Sequence, residues 1–214
     1  MRSTFTLAVL AALAALPLAG CAGSKTLADP IVRISTDQGA ELGVSTNYGV
    51  VYLGRSGTRG AVAIEALFGD GPNLERSVTE AVGGGLFTAR TEIELPEVPL
   101  SFAAPVAGEA LVIAGRDDSG SWERNTRVVE DPRVFGLLVE NVGGDLNHGD
   151  QTGAGVFRQI DKHHRECVGL VSGRVTLDGR TYLAVVGPEV TWRLVAHRRD
   201  LLRRKPWVYR KDIN

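Results

Sequence analysis

The residues best suited to chemistry lie between Asp145 and Cys167. Three of the four histidines of the chain fall there, together with several carboxylates and a cysteine. Such groups bind Zn²⁺ or Ca²⁺ and move protons. The polar set comprises Asp145, His148, Asp150, Asp161, His163, His164, Glu166 and Cys167. The metal ligands predicted from this set are His148, Asp150, His163 and His164.

The spacing of these groups argues against a metal site. The stretch contains neither an H-E-x-x-H nor a C-x-x-C motif. Residues 145–150 resemble a calcium loop only in part, because the Asp-Gly order expected at positions five and six is reversed. His163 and His164 are adjacent and would point to opposite faces of a strand, so at most one serves a given site. A polar loop followed by a strand with exposed charges is the favoured alternative.

The sequence gives little support for a catalytic serine. Ser56 misses the G-x-S-x-G motif by one position. Residues 117–120 (DDSG) are similar to the stretch around the serine of trypsin-like proteases, but Asp117 replaces the expected glycine. All four histidines follow Ser119, whereas the histidine of that family comes first. Both serines are therefore predicted to lie in turns.

Cys167 is predicted to be a buried, unpaired thiol. The chain has two cysteines, and lipidation of Cys21 would leave Cys167 without an intrachain partner. Free cysteine is among the most buried residue types. An intermolecular disulfide and a reactive thiol paired with His164 are the alternatives.

A second polar loop spans residues 54–60 (GRSGTRG) and carries Arg55 and Arg59. Glycines next to arginines suit a phosphate loop, but such a loop normally leads into a helix N-terminus. The segment that follows, residues 61–64 (AVAI), is typical of a strand. The loop is therefore predicted to be a hairpin tip with exposed arginines.

The N-terminus resembles the signal of a bacterial lipoprotein. Residues 7–16 (LAVLAALAAL) follow a positively charged start and are too few to span a membrane, which takes about 20 apolar residues. Residues 18–21 (LAGC) are similar to the lipobox. The resemblance implies that residues 1–20 are removed, that Cys21 carries acyl chains such as palmitate, and that residues 21–30 form a tether. Ala22, rather than Asp, favours the periplasmic face of the outer membrane in a Gram-negative host.

The C-terminal residues predict a second membrane contact. Seven of residues 198–211 are Arg or Lys, interleaved with two aromatic residues. Trp and Tyr favour the headgroup region, and basic side chains are attracted to anionic lipid. A solvated basic tail over residues 206–214 is the alternative. The predicted contacts are Arg203, Arg204, Lys205, Trp207, Tyr209, Arg210 and Lys211.

The elements that must position these groups are mostly strand-like. Residues 48–53 are rich in β-formers, and residues 87–95 alternate strictly, with Phe87, Ala89 and Ile93 on one face, as in an antiparallel sheet with one wet face. Residues 167–186 predict a hairpin whose turn is Asp178-Gly179, which suits a type I′ turn.

Helices are predicted in three segments. Leu74, Val78, Ala81 and Val82 have helical spacing and precede the glycines at 83–85. Residues 132–142 allow either a helix or a buried strand. Residues 188–205 start at a proline, end in basic residues and stop before Pro206, as helices do.

The fold predicted from these elements is α+β: a mainly antiparallel sheet with two or three short helices in a single domain over residues 31–205. The 24 basic and 25 acidic residues nearly cancel, which argues against nucleic acid as a partner. We expect no cofactor. The predicted function is a lipid-anchored, non-catalytic protein that binds or scaffolds an envelope protein or glycan. The alternative is a metal- or thiol-dependent envelope enzyme built on residues 145–167.

Overall fold

The structure of the protein is a computed structural model that describes residues 30–55, 57–68, 71–83, 85–118, 120–134, 136–142 and 152–187. All twelve regular elements in these ranges are β-strands. A search of the same ranges finds no helix with the length and hydropathy to span a membrane.

The first six strands close into an antiparallel barrel. Their order around the barrel is β1-β2-β3-β6-β5-β4. Their bounds are β1 Ile31–Ser35, β2 Ala40–Thr46, β3 Gly49–Tyr52, β4 Ala61–Phe68, β5 Gly71–Gly83 and β6 Leu86–Ala89.

The other six strands close into a second antiparallel barrel, in the order β10-β11-β12-β9-β8-β7. Their bounds are β7 Ala110–Asp117, β8 Gly120–Val129, β9 Leu137–Asn141, β10 Gly155–Gln159, β11 Arg165–Leu177 and β12 Arg180–Val186.

Strand β3 shows how the two barrels share a core. Alternate side chains of a strand point to opposite faces. Val50 and Tyr52 are buried in the cluster that fills the first barrel. Val51 and Leu53 belong to a larger cluster that also includes second-barrel residues such as Phe157. Both faces of β3 are therefore buried, which accounts for its nearly continuous apolar sequence.

The connection between the barrels is hydrogen-bonded to each of them. The Val98 amide donates to the Ser45 carbonyl of the first barrel (3.1 Å). In the second barrel, the Cys167 amide donates to the Pro99 carbonyl and the Ser101 amide to the Cys167 carbonyl, each at 2.8 Å. The connection therefore acts as a strap across the seam between the barrels.

The predicted α+β fold is wrong, because the described part of the chain is all-β. Leu74 and Val78 lie on β5, paired with β4, and are 66% and 73% exposed. A spacing of four residues places side chains on one face of a strand as well as of a helix. The helical interpretation of residues 73–82 failed for this reason.

The remaining predicted elements have mixed outcomes. The strand alternative for residues 132–142 is confirmed in part, by β9 over Leu137–Asn141. The predicted strand at 87–95 is regular only over β6, although Ile93 and Leu95 still pack against the first-barrel core. The hairpin at 167–186 is confirmed: Asp178 and Gly179 have φ of 50° and 76°, as a type I′ turn requires. The predicted helix at 188–205 lies outside the described residues.

Candidate functional site

The barrels meet where β2 lies against the chain that leads into β10. The Leu42 amide donates a long hydrogen bond to the Thr152 carbonyl (3.5 Å). Gly153 follows with a φ of 83°, and a Cβ atom there would lie 2.2 Å from the Leu42 carbonyl oxygen, so this position requires glycine. The Gly153 amide also donates to the Val171 carbonyl of β11 (2.7 Å). Residues 152–153 are thus fixed to both barrels.

Arg55 reaches from the first barrel to the second. It lies in the loop between β3 and β4, and its Nη1 atom donates a hydrogen bond to the Ser172 carbonyl of β11. Ser172 occupies a β-bulge, because the pairing of β11 with β12 shifts between Val171 and Gly173. The Ser172 hydroxyl donates to the Ala184 carbonyl (3.1 Å). The guanidinium therefore covers the backbone of the bulge.

Buried polar contacts hold the loop that carries Arg55. Thr58 has no exposed surface, and its hydroxyl donates to Oε1 of Glu41. The Tyr52 hydroxyl donates to the Thr58 carbonyl (3.0 Å). Burial raises the pKa of Tyr52 to about 12, so the phenol keeps this proton at neutral pH.

Arg59 fastens the same loop from its exposed side. Its Nε atom donates to the Gly54 carbonyl (3.0 Å), and its guanidinium carbon lies 5.2 Å from the centroid of the Phe87 ring. This is the geometry of a cation–π contact. A Cβ atom at Gly54 would come within 2.3 Å of the same ring. Arg59 is therefore occupied in shaping the loop, whereas Arg55 points across the seam.

Strand β11 leaves part of one edge without a strand partner. Strand β10 pairs with it only as far as Leu170, whereas β12 continues to Leu177 at the hairpin turn. Among the strands that the structure describes, only β12 pairs with residues 173–177 of β11. This segment begins directly after the carbonyl that Arg55 covers.

The hairpin turn determines which backbone groups face that edge. A two-residue turn is closed by a hydrogen-bonded pair, and bonded and non-bonded pairs alternate away from it. Thr176 and Thr181 form the second pair from the turn, which is non-bonded. The amide and carbonyl of Thr176 therefore point to the unpaired edge, and those of Thr181 point the opposite way.

The described residues do not assemble the predicted metal site. His163 and His164 lie in the turn between β10 and β11, where Asp161 accepts both backbone amides (2.7 and 2.9 Å). Those bonds and the His164 ring hold the pKa of Asp161 at about 2. The two histidines thus do not occupy opposite faces of a strand. His148 and Asp150 lie outside the described residues, within which no three His, Cys, Asp or Glu side chains converge.

Cys167 is buried and unpaired, as predicted. Its side chain has no exposed surface, and its Sγ lies 3.5 Å from the Gly169 carbonyl oxygen. Burial raises the pKa of the thiol to about 12, which opposes formation of the nucleophilic thiolate. His164 is exposed in its turn, so the predicted alternative of a Cys–His pair is not supported.

Several predicted sites lie outside the described residues. These are the lipidated Cys21, Ser56, Ser119 and the basic C-terminal contacts at 203–211. The sequence also left Thr152, Ser172 and Thr176 unremarked, because no motif marks a bulge or an unpaired edge. The predicted hairpin tip at 54–60 is wrong, because β3 and β4 on either side of this loop do not pair with each other, although Arg55 and Arg59 are exposed as predicted.

No family model matches the chain, and no curated protein matches its sequence. Solved structures do resemble it. The MamO protease domain of Magnetospirillum magneticum superposes with a TM-score of 0.57 at 16% identity, covering 81% of this chain and 97% of that one. A serine endoprotease of Yersinia pestis gives 0.56 at 12%, covering 83% and 64%. A human pathogenic astrovirus serine protease gives 0.52 at 13%, covering 75% and 91%.

These resemblances correct two of the predictions. The neighbours are proteases, which argues against the expected non-catalytic binding or scaffolding role. The metal- or thiol-dependent alternative is not supported either. At these identities the comparison shows the architecture alone: the chain has the double β-barrel fold of the trypsin-like serine proteases.

Proposed function

We propose that this protein acts on polypeptide chains and holds an extended segment along the unpaired edge of β11. The observation that carries the proposal is the backbone of Thr176, which faces that edge four residues beyond the bulge at Ser172. An extended peptide can add to such an edge as a further strand, with its affinity coming from main-chain hydrogen bonds.

The described part of the seam does not supply the base that the usual route to peptide cleavage requires. A Ser-His-Asp triad needs an imidazole that takes the proton of a neighbouring hydroxyl. The first histidine of the sequence is His148, so residues 30–142 supply none. Arg55 stands at the seam instead, and a guanidinium has no acceptor site for that proton. An imidazole base for hydrolysis would have to come from His148 or His197, which lie outside the described residues, since His163 and His164 lie in the β10–β11 turn.

A pair of proline variants tests the edge. Thr176→Pro removes the amide that faces the unpaired edge, and Thr181→Pro removes the matching amide on the opposite side of the same pair. Binding of fluorescein-labelled, unfolded casein to the purified protein would be followed by anisotropy. Because one main-chain hydrogen bond contributes about 0.5–1.5 kcal/mol, and proline also obstructs the edge, we expect Thr176→Pro to weaken binding about tenfold.

Thr181→Pro is the control for general destabilisation by proline. Thr181→Pro should leave the affinity within about twofold, a difference of under 0.5 kcal/mol. Equal loss in both variants would point to general destabilisation, and no binding by the wild type would refute the proposal. Gel analysis of the same mixtures shows whether the casein is cut. Cleavage that disappears in His148→Ala would assign the base.

We further propose that Cys21 is lipidated and holds the barrels near the membrane. The lipobox-like LAGC sequence supports this, and nine residues separate it from β1. Labelled palmitate should enter the wild type and not Cys21→Ser. Equal labelling of both would refute the assignment. The basic tail at 203–211 stays a prediction of a second, salt-sensitive contact with the same surface.

A further inference from the structure

Arg55 is an exposed cation without a described counter-charge. None of the ion pairs within 4.0 Å among the described residues involves it. Its one described hydrogen bond runs from Nη1 to a neutral carbonyl, that of Ser172. A guanidinium has five N–H donors in a planar fork, so most of its capacity for hydrogen bonding is unused there.

The surroundings of Arg55 fix the guanidinium beside the peptide edge. The hydrogen bonds of Thr58 to Glu41 and of Arg59 to Gly54 hold the loop that carries Arg55. The Ser172 carbonyl accepts a hydrogen bond from Nη1 of Arg55 and so orients the guanidinium. The next residue of β11 is Gly173, where a Cβ atom would lie 4.0 Å from Nη1. No side chain therefore separates the guanidinium from the strand backbone. Glu41 is 5% exposed, and its Oε1 atom accepts the Thr58 hydroxyl.

We propose that Arg55 makes this edge selective for carboxylates, so that the preferred polypeptide carries an acidic side chain, or its own C-terminal carboxylate, next to the bulge at Ser172. This inference rests on the proposed polypeptide function and names its substrate class. A guanidinium binds a carboxylate through two parallel charge-assisted hydrogen bonds, and orientation by Ser172 reduces the entropy lost in forming them. A neutral segment would leave the donors to water.

The test uses labelled decapeptides with matched changes. One has a central Glu and an amidated C-terminus, the second replaces that Glu by Gln, and the third keeps the Gln but has a free C-terminus. Binding of each to the purified protein is measured by anisotropy at low and high salt. We expect the Glu peptide or the free-terminus peptide to bind at least tenfold more tightly than the neutral one, with a difference that shrinks in salt. Which of the two gains affinity identifies the source of the carboxylate.

Variants of Arg55 assign the selectivity. Arg55→Gln should abolish the preference for the carboxylate peptides over the neutral one, whereas Arg55→Lys should keep part of it. Arg124→Gln is the matched control, because Arg124 also donates from Nη1 to a backbone carbonyl, that of Glu123. It should keep the full preference, and thermal unfolding checks that each variant is folded.

The outcomes separate this inference from the proposed function. Equal affinity for all three peptides, or a preference that survives in Arg55→Gln, overturns carboxylate selectivity and leaves polypeptide recognition intact. No binding of any peptide or of casein overturns both.

Discussion

Glu41 and Thr58 form a buried contact on which the placement of Arg55 depends. Oε1 of Glu41 accepts the Thr58 hydroxyl, and Oε2 has no hydrogen-bond partner within the described residues. A buried polar group that loses its partner costs far more than the bond contributes, and a charged group costs most. The Thr58 contact therefore helps to fix the position of the loop, and with it the positions of Arg55 and Arg59.

Replacing Thr58 by Val should destabilise the protein by about 2–3 kcal/mol, because it leaves both oxygens of a buried carboxyl group without a partner. Urea unfolding followed by circular dichroism would measure this. Thr126→Val is the control, since Thr126 is also buried and donates to a neutral carbonyl, that of Leu111 (3.1 Å). We expect about 1 kcal/mol there. Equal losses would show that the Glu41 carboxyl finds another partner.

At the scale of elements, two positions with nearly the same φ require glycine for different reasons. Gly179 closes the β11–β12 hairpin with a φ of 76°, and no atom lies within 4 Å of a Cβ built there. Gly153 has a φ of 83° at the seam, where the same Cβ would overlap the backbone of Leu42. Backbone conformation alone constrains the first glycine, and the close approach of two barrels constrains the second.

The corresponding alanine variants should therefore differ sharply. Gly179→Ala carries only the left-handed backbone penalty, about 1–2 kcal/mol. Gly153→Ala adds a clash with main-chain atoms and should lower the free energy of unfolding by more than about 4 kcal/mol or prevent folding. Urea unfolding and soluble yield would measure both. Similar losses would mean that the seam at Leu42 adjusts at little cost.

The same elements show how far the sequence predicts this molecule. Local signals sufficed for the β11–β12 hairpin, because Asp-Gly and alternation act within a few residues. They failed at β5, where the exposed Leu74 and Val78 match a helical and a strand face alike. Barrel closure depends on non-local pairing, such as β1 with β4, which leaves no local pattern. The seam was missed for the same reason, since Arg55 and Ser172 are 117 residues apart.

For the whole molecule, the strap at residues 90–109 and the shared core couple the two barrels. The strap ends at Glu109, whose carboxylate binds Arg158 of β10 through two bonds, from Nε (2.6 Å) and Nη2 (3.3 Å). Arg158 also donates to the Ser101 hydroxyl of the strap (2.7 Å). Because one hydrophobic cluster contains residues of both barrels, we expect them to unfold as a single cooperative unit.

The Glu109–Arg158 contact should make the stability of this unit depend on pH. Arg158 holds the pKa of Glu109 below its ordinary value of 4.5. A carboxylate with a lowered pKa in the folded state contributes its stability above the unfolded pKa and loses it as the pH falls through the folded value. Glu109→Gln should therefore destabilise the protein by about 1–2 kcal/mol at pH 7, and this difference should shrink steadily below pH 4.5. Urea unfolding of both proteins at about ten pH values between pH 3 and 7 would measure this difference.

Asp131→Asn is the control. It weakens an ion pair with the more exposed Arg133 and should change stability less, because water screens that pair. A Glu109→Gln deficit that stays constant down to pH 3 would show that packing of the strap, rather than the charge of Glu109, couples the barrels.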